Sequence, residues 1–306
     1  MKNALLLSLA LITLGPIALR GQEDPAIQLM PEQPLFEVVL VDGTVLIGSI
    51  QEQSETTVVL VTLAGVTFEL QRADIRSVAA ASGSVVNSQF WRADPSSTRL
   101  FFTTTGRSLS RGEGYAGVYL LVLPFAAVGV TDRLTVAGGA PILFGEVQPA
   151  YLAPKLQVFR NATTQIALGT LMLIGDDLNV GVAYGVGTFG SPDVAVTGGI
   201  GFGYAGADFS KNAVGMLGIE RRVSGSIKLL SENYFLPIDG GSLIVSAGIR
   251  ILGKSLTGDV GLAGLIVGQD EPLCCLPLLN LSYAVAVYPE IKDFEVLRLG
   301  SCWSAP

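Results

Sequence analysis

The chain has 306 residues, of which 49% are hydrophobic, 15% are charged and 37 are glycine. This hydrophobicity excludes a disordered chain. So many glycines disfavour a helical bundle, because each one inside a helix costs about 1 kcal/mol relative to alanine. The formal net charge of −7 has the wrong sign for binding phosphate, so we expect no nucleic-acid partner.

The N-terminus has the pattern of a secretory signal peptide. Lys2 precedes an apolar run from Ala4 to Ala18, and the small residue Gly21 offers a cleavage site. The apolar run is about 15 residues long, short of the roughly 20 that a spanning helix needs. We therefore predict a signal peptide over residues 1–21 and a Pro- and Glu-rich linker over residues 22–34.

Export implies an oxidising compartment for the three cysteines, Cys274, Cys275 and Cys302. Their odd number does not suggest a disulfide framework, although one bridge from Cys302 to either neighbour is possible. The sequence contains no His and no fourth Cys, so this set does not form a structural zinc site.

Residues 35–80 predict a compact β unit with a tight turn at Asp42-Gly43, a bulge at Gly48 and a second turn at Ala64-Gly65. The order of strands and turns resembles the small SH3-like or Sm-like barrels, which serve many functions and imply no activity by themselves. We expect a periplasmic module that contacts a protein partner, followed by a linker over residues 81–98.

Residues 99–288 change in character, because apolar stretches of strand length recur between short polar turns. Several stretches alternate strictly, as where Val180, Val182, Tyr184 and Val186 oppose small residues. A period of two indicates strands, and a bulky apolar face opposite a small or polar one is typical of a transmembrane β-barrel. We predict that the bulky face meets lipid.

The length of this region sets the number of strands. A tilted membrane strand takes about 10 residues. With turns, residues 99–288 leave room for about 12 strands, and bacterial single-chain barrels have even counts. The fold class is therefore all-β, with a barrel of 12 strands (alternatively 10) and a tail over residues 289–306. A helical membrane protein is disfavoured because the best candidate, Gly114–Thr131, contains Pro124.

Three stretches carry a family resemblance: Thr98–Gly106, Leu109–Tyr115 and Gly129–Arg133. Together with the L-P-x-L-x-x-S-Y pattern at Leu276–Tyr283, they resemble a group of uncharacterised bacterial outer-membrane β-barrel proteins that have a short N-terminal β module. The resemblance implies a Gram-negative outer membrane and a barrel fold, but no activity. The tail differs from the group, since a C-terminal aromatic strand is expected there and the chain ends in Pro306.

Four charged residues fall at lumen-facing positions of the predicted strands: Lys228, Glu232, Arg250 and Asp259. Lys228 and Glu232 lie on the same side of one strand. Buried charges need partners, so we expect a ladder of salt bridges inside the lumen. Roles in pore selectivity or in catalysis remain as alternatives.

Two motifs match nucleotide-binding patterns without the structural context that such sites need. Residues 248–255 fit G-x-x-x-x-G-K-[ST], but their interior favours a strand, and Gly185-x-Gly187-x-x-Gly190 opens no helix. The absence of His removes the usual general base of barrel hydrolases. We predict no enzyme activity, no catalytic residue, no cofactor and no metal.

These features predict a non-enzymatic outer-membrane β-barrel, either a scaffold or a narrow channel, in contact with outer-membrane lipid. The alternatives are a transporter of a small solute or lipid and a secreted soluble β protein. The mean hydropathy of +0.53 weighs against the soluble protein.

Overall fold

The computed structural model describes residues 34–141, 149–175, 178–237, 241–267 and 273–286. The chain divides into two compact units, which within the described residues comprise residues 34–90 and 91–286. The predicted signal peptide, the tail, Cys302 and all of the first linker except Pro34 lie outside the described residues. Among the residues described, no helix is long and apolar enough to cross a membrane.

The first unit contains an antiparallel sheet of five strands. In the order β4-β3-β2-β1-β5 they are β1 Leu35–Leu40, β2 Val45–Gln53, β3 Thr57–Thr62, β4 Thr67–Gln71 and β5 Ile75–Ala80. Val38, Val58 and Leu60 form its fully buried centre. The predicted turn at Asp42-Gly43 is present, with Gly43 at φ +91° and the Thr44 amide donating to Asp42 Oδ1 at 2.8 Å. Whether the sheet is SH3-like stays a prediction.

Residues 81–98 are not a simple linker. They contain a hairpin of β6 (Gly83–Val86) and β7 (Gln89–Arg92). Asn87 and Ser88 turn it with φ of 50° and 60°, a pair of positive angles that matches the right-handed twist of a two-residue hairpin. The Asn-Ser pair at this turn is a weaker sequence signal than Asn-Gly.

The second unit is a closed antiparallel barrel of twelve strands, as the strand arithmetic predicts. Each strand pairs with its neighbours in sequence, and the last strand pairs with the first. The strands are β8 Glu113–Tyr119, β9 Leu123–Gly129, β10 Leu134–Gly139, β11 Ala150–Arg160, β12 Thr164–Gly175, β13 Leu178–Gly190, β14 Val194–Ala205, β15 Asp208–Ser224, β16 Ile227–Leu236, β17 Ser242–Leu252, β18 Leu256–Val267 and β19 Leu273–Ala286.

The barrel strands begin at Glu113, whereas the sequence analysis starts the barrel at residue 99. Residues 99–112 form no barrel strand, and their only bridge is an isolated one between Arg99 and Thr104. Their threonine-rich run favours extended backbone, which explains the interpretation as a first strand.

The outward face of the barrel is apolar. Ile200, Leu262, Val285 and Leu168 are each about half exposed, at 50 to 55%. Strand registers and the alternation along each strand place these residues on the outer face. A band of large apolar side chains therefore surrounds the barrel. An exposed apolar surface of this extent is not tolerated in water and marks contact with another apolar phase.

One strand has the opposite orientation to the prediction. On β13 the bulky residues face inward, since Val186 and Thr188 are buried and Thr188 bonds Thr197 Oγ1 at 2.8 Å. The outward glycines are covered by aromatic rings: a Cβ at Gly187 would lie 3.1 Å from Phe189, and one at Gly181 would lie 2.5 Å from Tyr204. Alternation alone cannot say which face is inside, and here the neighbouring rings supply the bulk on the outer face.

The two ends of the barrel differ in the length of their connections. At the end where the barrel chain begins and finishes, the connections are short, the longest being residues 130–133. The opposite end carries the longest connection, residues 140–149. Short periplasmic turns and longer outer loops are the usual arrangement in outer-membrane barrels.

Candidate functional site inside the barrel

Residues 94–109, here called the plug, run through the interior of the barrel. Hydrogen bonds join the plug to strands on every side of the closed ring, and a segment so bonded lies inside it. The bonds are Thr98 Oγ1 to Tyr115 on β8 (2.8 Å), Leu109 N to Thr135 on β10 (3.0 Å), Gly106 N to Thr188 on β13 (2.9 Å), Phe102 N to Glu232 on β16 (3.1 Å) and Ser96 Oγ to Ser282 on β19 (2.9 Å).

The plug turns back on itself at its deepest point. Leu100 N donates to Thr103 O at 2.8 Å, and Thr105 N donates to Thr98 O at 2.9 Å. The residues between these bonds include Leu100 and Phe101, which are fully buried. A turn leaves carbonyl groups without sheet partners, so the barrel wall must supply donors for them.

Arg250 supplies most of those donors. This residue of β17 is fully buried and donates to the backbone oxygens of Ser96 (2.9 Å), Arg99 (3.2 Å) and Leu100 (2.6 Å). It also forms ion pairs with Asp94 (3.1 Å) and with Asp259 on β18 (2.7 Å). The planar fork of a guanidinium carries five donors, which suits this crowded arrangement.

The ion pairs continue on both sides of Arg250. Asp259 also bonds Arg99 of the plug at 2.6 Å, and Asp94 also bonds Lys228 on β16 at 2.7 Å. Lys228 contacts Glu220 on β15 at 3.1 Å, and Glu220 pairs with Arg107 of the plug. Plug and wall thus both contribute to one chain of charges, in which a pair of wall residues separates successive plug residues: Arg107, Glu220, Lys228, Asp94, Arg250, Asp259 and Arg99.

Glu232 has a separate role on the same strand as Lys228. Its carboxylate accepts the backbone amides of Phe102 (3.1 Å) and Thr103 (3.2 Å) and the hydroxyl of Tyr234. The sequence analysis places Lys228 and Glu232 together on one side of a strand. The structure places both in the interior, where they bind different parts of the plug.

The electrostatics favour a charged, closed network. Burial by itself raises the pKa of Asp94, but the positive charges of Lys228 and Arg250 outweigh it and hold that pKa well below its usual range. Asp94 therefore stays ionised and remains a partner of both cations across the physiological range. Breaking one side of such a buried pair leaves an uncompensated charge and costs about 3–5 kcal/mol.

Lys155 on β11 holds the other arm of the plug and is missed by the sequence analysis. Its ammonium donates to Thr105 O at 2.9 Å, to Thr104 Oγ1 at 2.6 Å and to Arg107 O. Gln157, two residues along the same strand, donates to Gly106 O at 2.8 Å. The alternation of β11 places both on the inner face, which is the signal that could have found them.

Apolar contacts seat the tip of the plug. A Cβ at Gly218 on β15 would lie 2.1 Å from Leu100 Cδ1, and a Cβ at Gly261 on β18 would lie 3.1 Å from the Phe101 ring. Leu100 and Phe101 cluster with Leu230 of the wall. Inward glycines thus leave the space that the two plug side chains fill.

Two kinds of site can be compared with the described residues, a metal site and the P-loop-like motif. Among the described residues, no group of three or more His, Cys, Asp or Glu could hold a metal ion. Residues 248–252 of the P-loop-like motif lie in β17, where paired strand backbone leaves no cradle of free amides for phosphate. The buried polar residues of the wall bind the plug and hold it in place.

Comparisons with known proteins give resemblances of architecture alone. No family model and no curated protein matches the chain. Among solved structures it is similar to a KdgM porin, at 9% identity and a TM-score of 0.41, covering 56% of this chain and 96% of that one. It is also similar to a loop-deletion mutant of OmpT, an outer membrane protein of Vibrio cholerae (12% identity, TM-score 0.31, 82% and 96% covered), and to Pseudomonas aeruginosa OccK5 (OpdH) (10% identity, TM-score 0.32, 82% and 95% covered).

Proposed function

We propose that the chain is a non-enzymatic outer-membrane β-barrel whose pore is a narrow channel held closed by the plug. The observation that carries the proposal is the continuous ion-pair network between plug and wall, centred on Arg250. Burying charges costs free energy, and a permanent scaffold does not need them. A plug that can leave the barrel needs polar contacts that water can replace when the plug moves.

The membrane part of the proposal rests on the outer surface. Large side chains such as Ile200 and Leu262 are about half exposed around the barrel, and lipid is the phase that accepts them without penalty. Outer-membrane lipid is thus the first partner of the chain. The fully buried charges lie on the opposite face of the same strands, as in barrels with a polar interior.

The lengths of the connections support an orientation with the short turns in the periplasm. We propose that the chain enters the barrel from that side and that residues 34–90 are periplasmic. We propose that the sheet within residues 35–80 contacts a periplasmic protein. Binding of that protein would displace the plug through the stretch of chain that joins the sheet to the plug. A solute or lipid transporter is the second candidate.

Conductance across a planar bilayer tests the stopper. We compare the native barrel with a variant in which a flexible Gly-Ser linker of equal length replaces residues 94–109, after both pass a gel assay for folded barrel. The native barrel should conduct rarely, and the plug-replaced barrel should conduct continuously. Equal conductance in the two folded proteins would contradict the proposal.

A further inference from the structure

The inner wall of the barrel changes character beyond the tip of the plug. Strand registers fix which residues face inward there, starting from the buried Lys155: it lies opposite Gly169, which lies opposite Tyr184, which lies opposite Gly201. Tyr184 is thus on the inner face, together with every second residue of β13. The same reasoning extends from Lys228 and Arg250 along the other half of the ring.

On the side of the long connections, most of these inward positions carry apolar or aromatic side chains. Representative residues on five strands are Leu171, Val182, Met216, Tyr234 and Ile244. No Asp, Glu, Lys or Arg occupies an inward position between the plug tip and the described ends of β12, β13, β16 and β17 on this side. The buried charges of the wall lie level with the plug.

The apolar inner wall is not packed shut. Leu171 is 37% exposed although it faces inward, whereas the inward residues level with the plug are almost fully buried. Val182, Met216 and Ile244 are also partly exposed. The interior is filled at the plug and open beyond it, and we call the open part the chamber.

The floor of the chamber continues its apolar lining. Leu100 and Phe101 at the plug tip cluster with Leu230 and Leu278, and Met216 of the chamber wall packs against this cluster. Glu232, which lies beside the plug tip, accepts hydrogen bonds from the plug amides and from Tyr234. The chamber therefore has an apolar floor and a wall without ionised groups on β12, β13, β16 and β17. Asp208 of β15, opposite Ala205, lies exposed at the end of the wall.

We propose that the chamber binds an uncharged molecule with a hydrocarbon chain, which reaches it from the side of the long connections. A water-filled pore is normally lined with polar groups, and an open apolar cavity instead favours an apolar ligand. A sugar would lose its hydrogen bonds to water and find few partners on this wall. The inference deepens the proposed function, since it rests on a barrel that the plug closes on the side of the short connections.

Two glycines of β14 provide a matched test. Gly203 faces the chamber opposite Val182, and a Cβ there would have no neighbour closer than 3.9 Å. Gly198 faces outward opposite Leu217, and a Cβ there would meet nothing within 4 Å. Gly203→Phe places a ring in the chamber, and Gly198→Phe places the same ring on the lipid-facing surface.

The assay uses the full-length barrel in amphipol, freed of detergent, with N-phenyl-1-naphthylamine as the fluorescent probe. We expect saturable binding of about one probe per native barrel, at least tenfold weaker binding to Gly203→Phe and unchanged binding to Gly198→Phe. Decan-1-ol should displace the probe and maltose should not. Absence of saturable binding, equal binding by the two variants, or displacement by maltose alone would overturn the proposal.

The conductance of the plug-replaced barrel, measured on the same preparations, separates this inference from the proposed function. If that barrel conducts and the native barrel does not, while the probe binds neither, closure by the plug is supported. Binding of an apolar ligand in the chamber is then refuted. If the probe binds as expected but plug replacement changes no conductance, ligand binding in the chamber is supported. A channel that the plug closes is then refuted.

Discussion

Replacing Arg250 with Met tests the most connected residue of the plug network. Methionine keeps much of the length and apolar volume of the side chain but removes every donor and the charge. Asp94 and Asp259 each lose one cation, and the carbonyls of Ser96 and Leu100 lose a donor. The plug should then leave its site far more often.

The magnitude follows from what each partner keeps. Loss of one member of a buried ion pair costs about 3–5 kcal/mol. Asp94 retains Lys228 at 2.7 Å and Asp259 retains Arg99 at 2.6 Å, so the lower end of that range applies. A cost of about 3 kcal/mol corresponds to a roughly 150-fold rise in the population of open barrels, at tenfold for every 1.4 kcal/mol.

The assay is single-channel recording of Arg250→Met beside two controls. Arg250→Lys keeps the charge but not the fork of donors, so its open fraction should lie between those of the native protein and Arg250→Met. Arg221→Met removes an exposed arginine on the lipid-facing side of β15 and should change nothing. If folded Arg250→Met barrels open no more often than Arg221→Met barrels, the network does not hold the plug.

Three further predictions concern other parts of the molecule. Gly218→Ala should unseat Leu100 at a cost of about 1–3 kcal/mol, because the new Cβ lies 2.1 Å from Leu100 Cδ1; denaturant titration should show the loss, and Gly198→Ala, in open space, should not. Since the folded-state pKa of Asp94 is lowered, its contribution to closure is complete above its ordinary value of 3.8 and is lost only as the pH falls below it. Recordings from pH 8 to 5 should therefore show no opening that depends on Asp94, and an opening in this range that Asp94→Asn abolishes would refute the pairing with Lys228 and Arg250. Asp42→Ala should lower the thermal midpoint of residues 34–90, because the Thr44 amide loses its acceptor; an unchanged midpoint in thermal unfolding would argue against that turn.

The barrel is predictable from sequence because its signal repeats along the chain. Period-two alternation and short polar turns mark each strand, and length arithmetic gives twelve. The face of a strand is less certain where both faces are apolar. On β13 the bulky residues line the chamber, and the outward glycines are covered by Phe189 and Tyr204 from neighbouring positions. The coverage of Gly181 by Tyr204 depends on the register between β13 and β14, which a single strand does not contain.

The plug is harder to predict because its contacts span long distances in sequence. Lys228, Glu232, Arg250 and Asp259 stand out as charges on otherwise apolar strands. Asp94, the shared partner of Lys228 and Arg250, lies 134 residues before Lys228, in a stretch interpreted as a linker. Arg99 and Arg107 fall in a run that is extended enough to resemble a strand, and nothing local shows that the run turns into the barrel. Only the closed ring brings these groups together.

The central claim is that the twelve-stranded barrel meets lipid on its outer face, and gel mobility of the fractionated cell tests it most directly. The protein should be found in the outer-membrane fraction, and its unboiled form should migrate differently from its boiled form, because closed membrane barrels resist unfolding by detergent. A protein recovered in the soluble fraction, with the same mobility before and after boiling, would contradict the account.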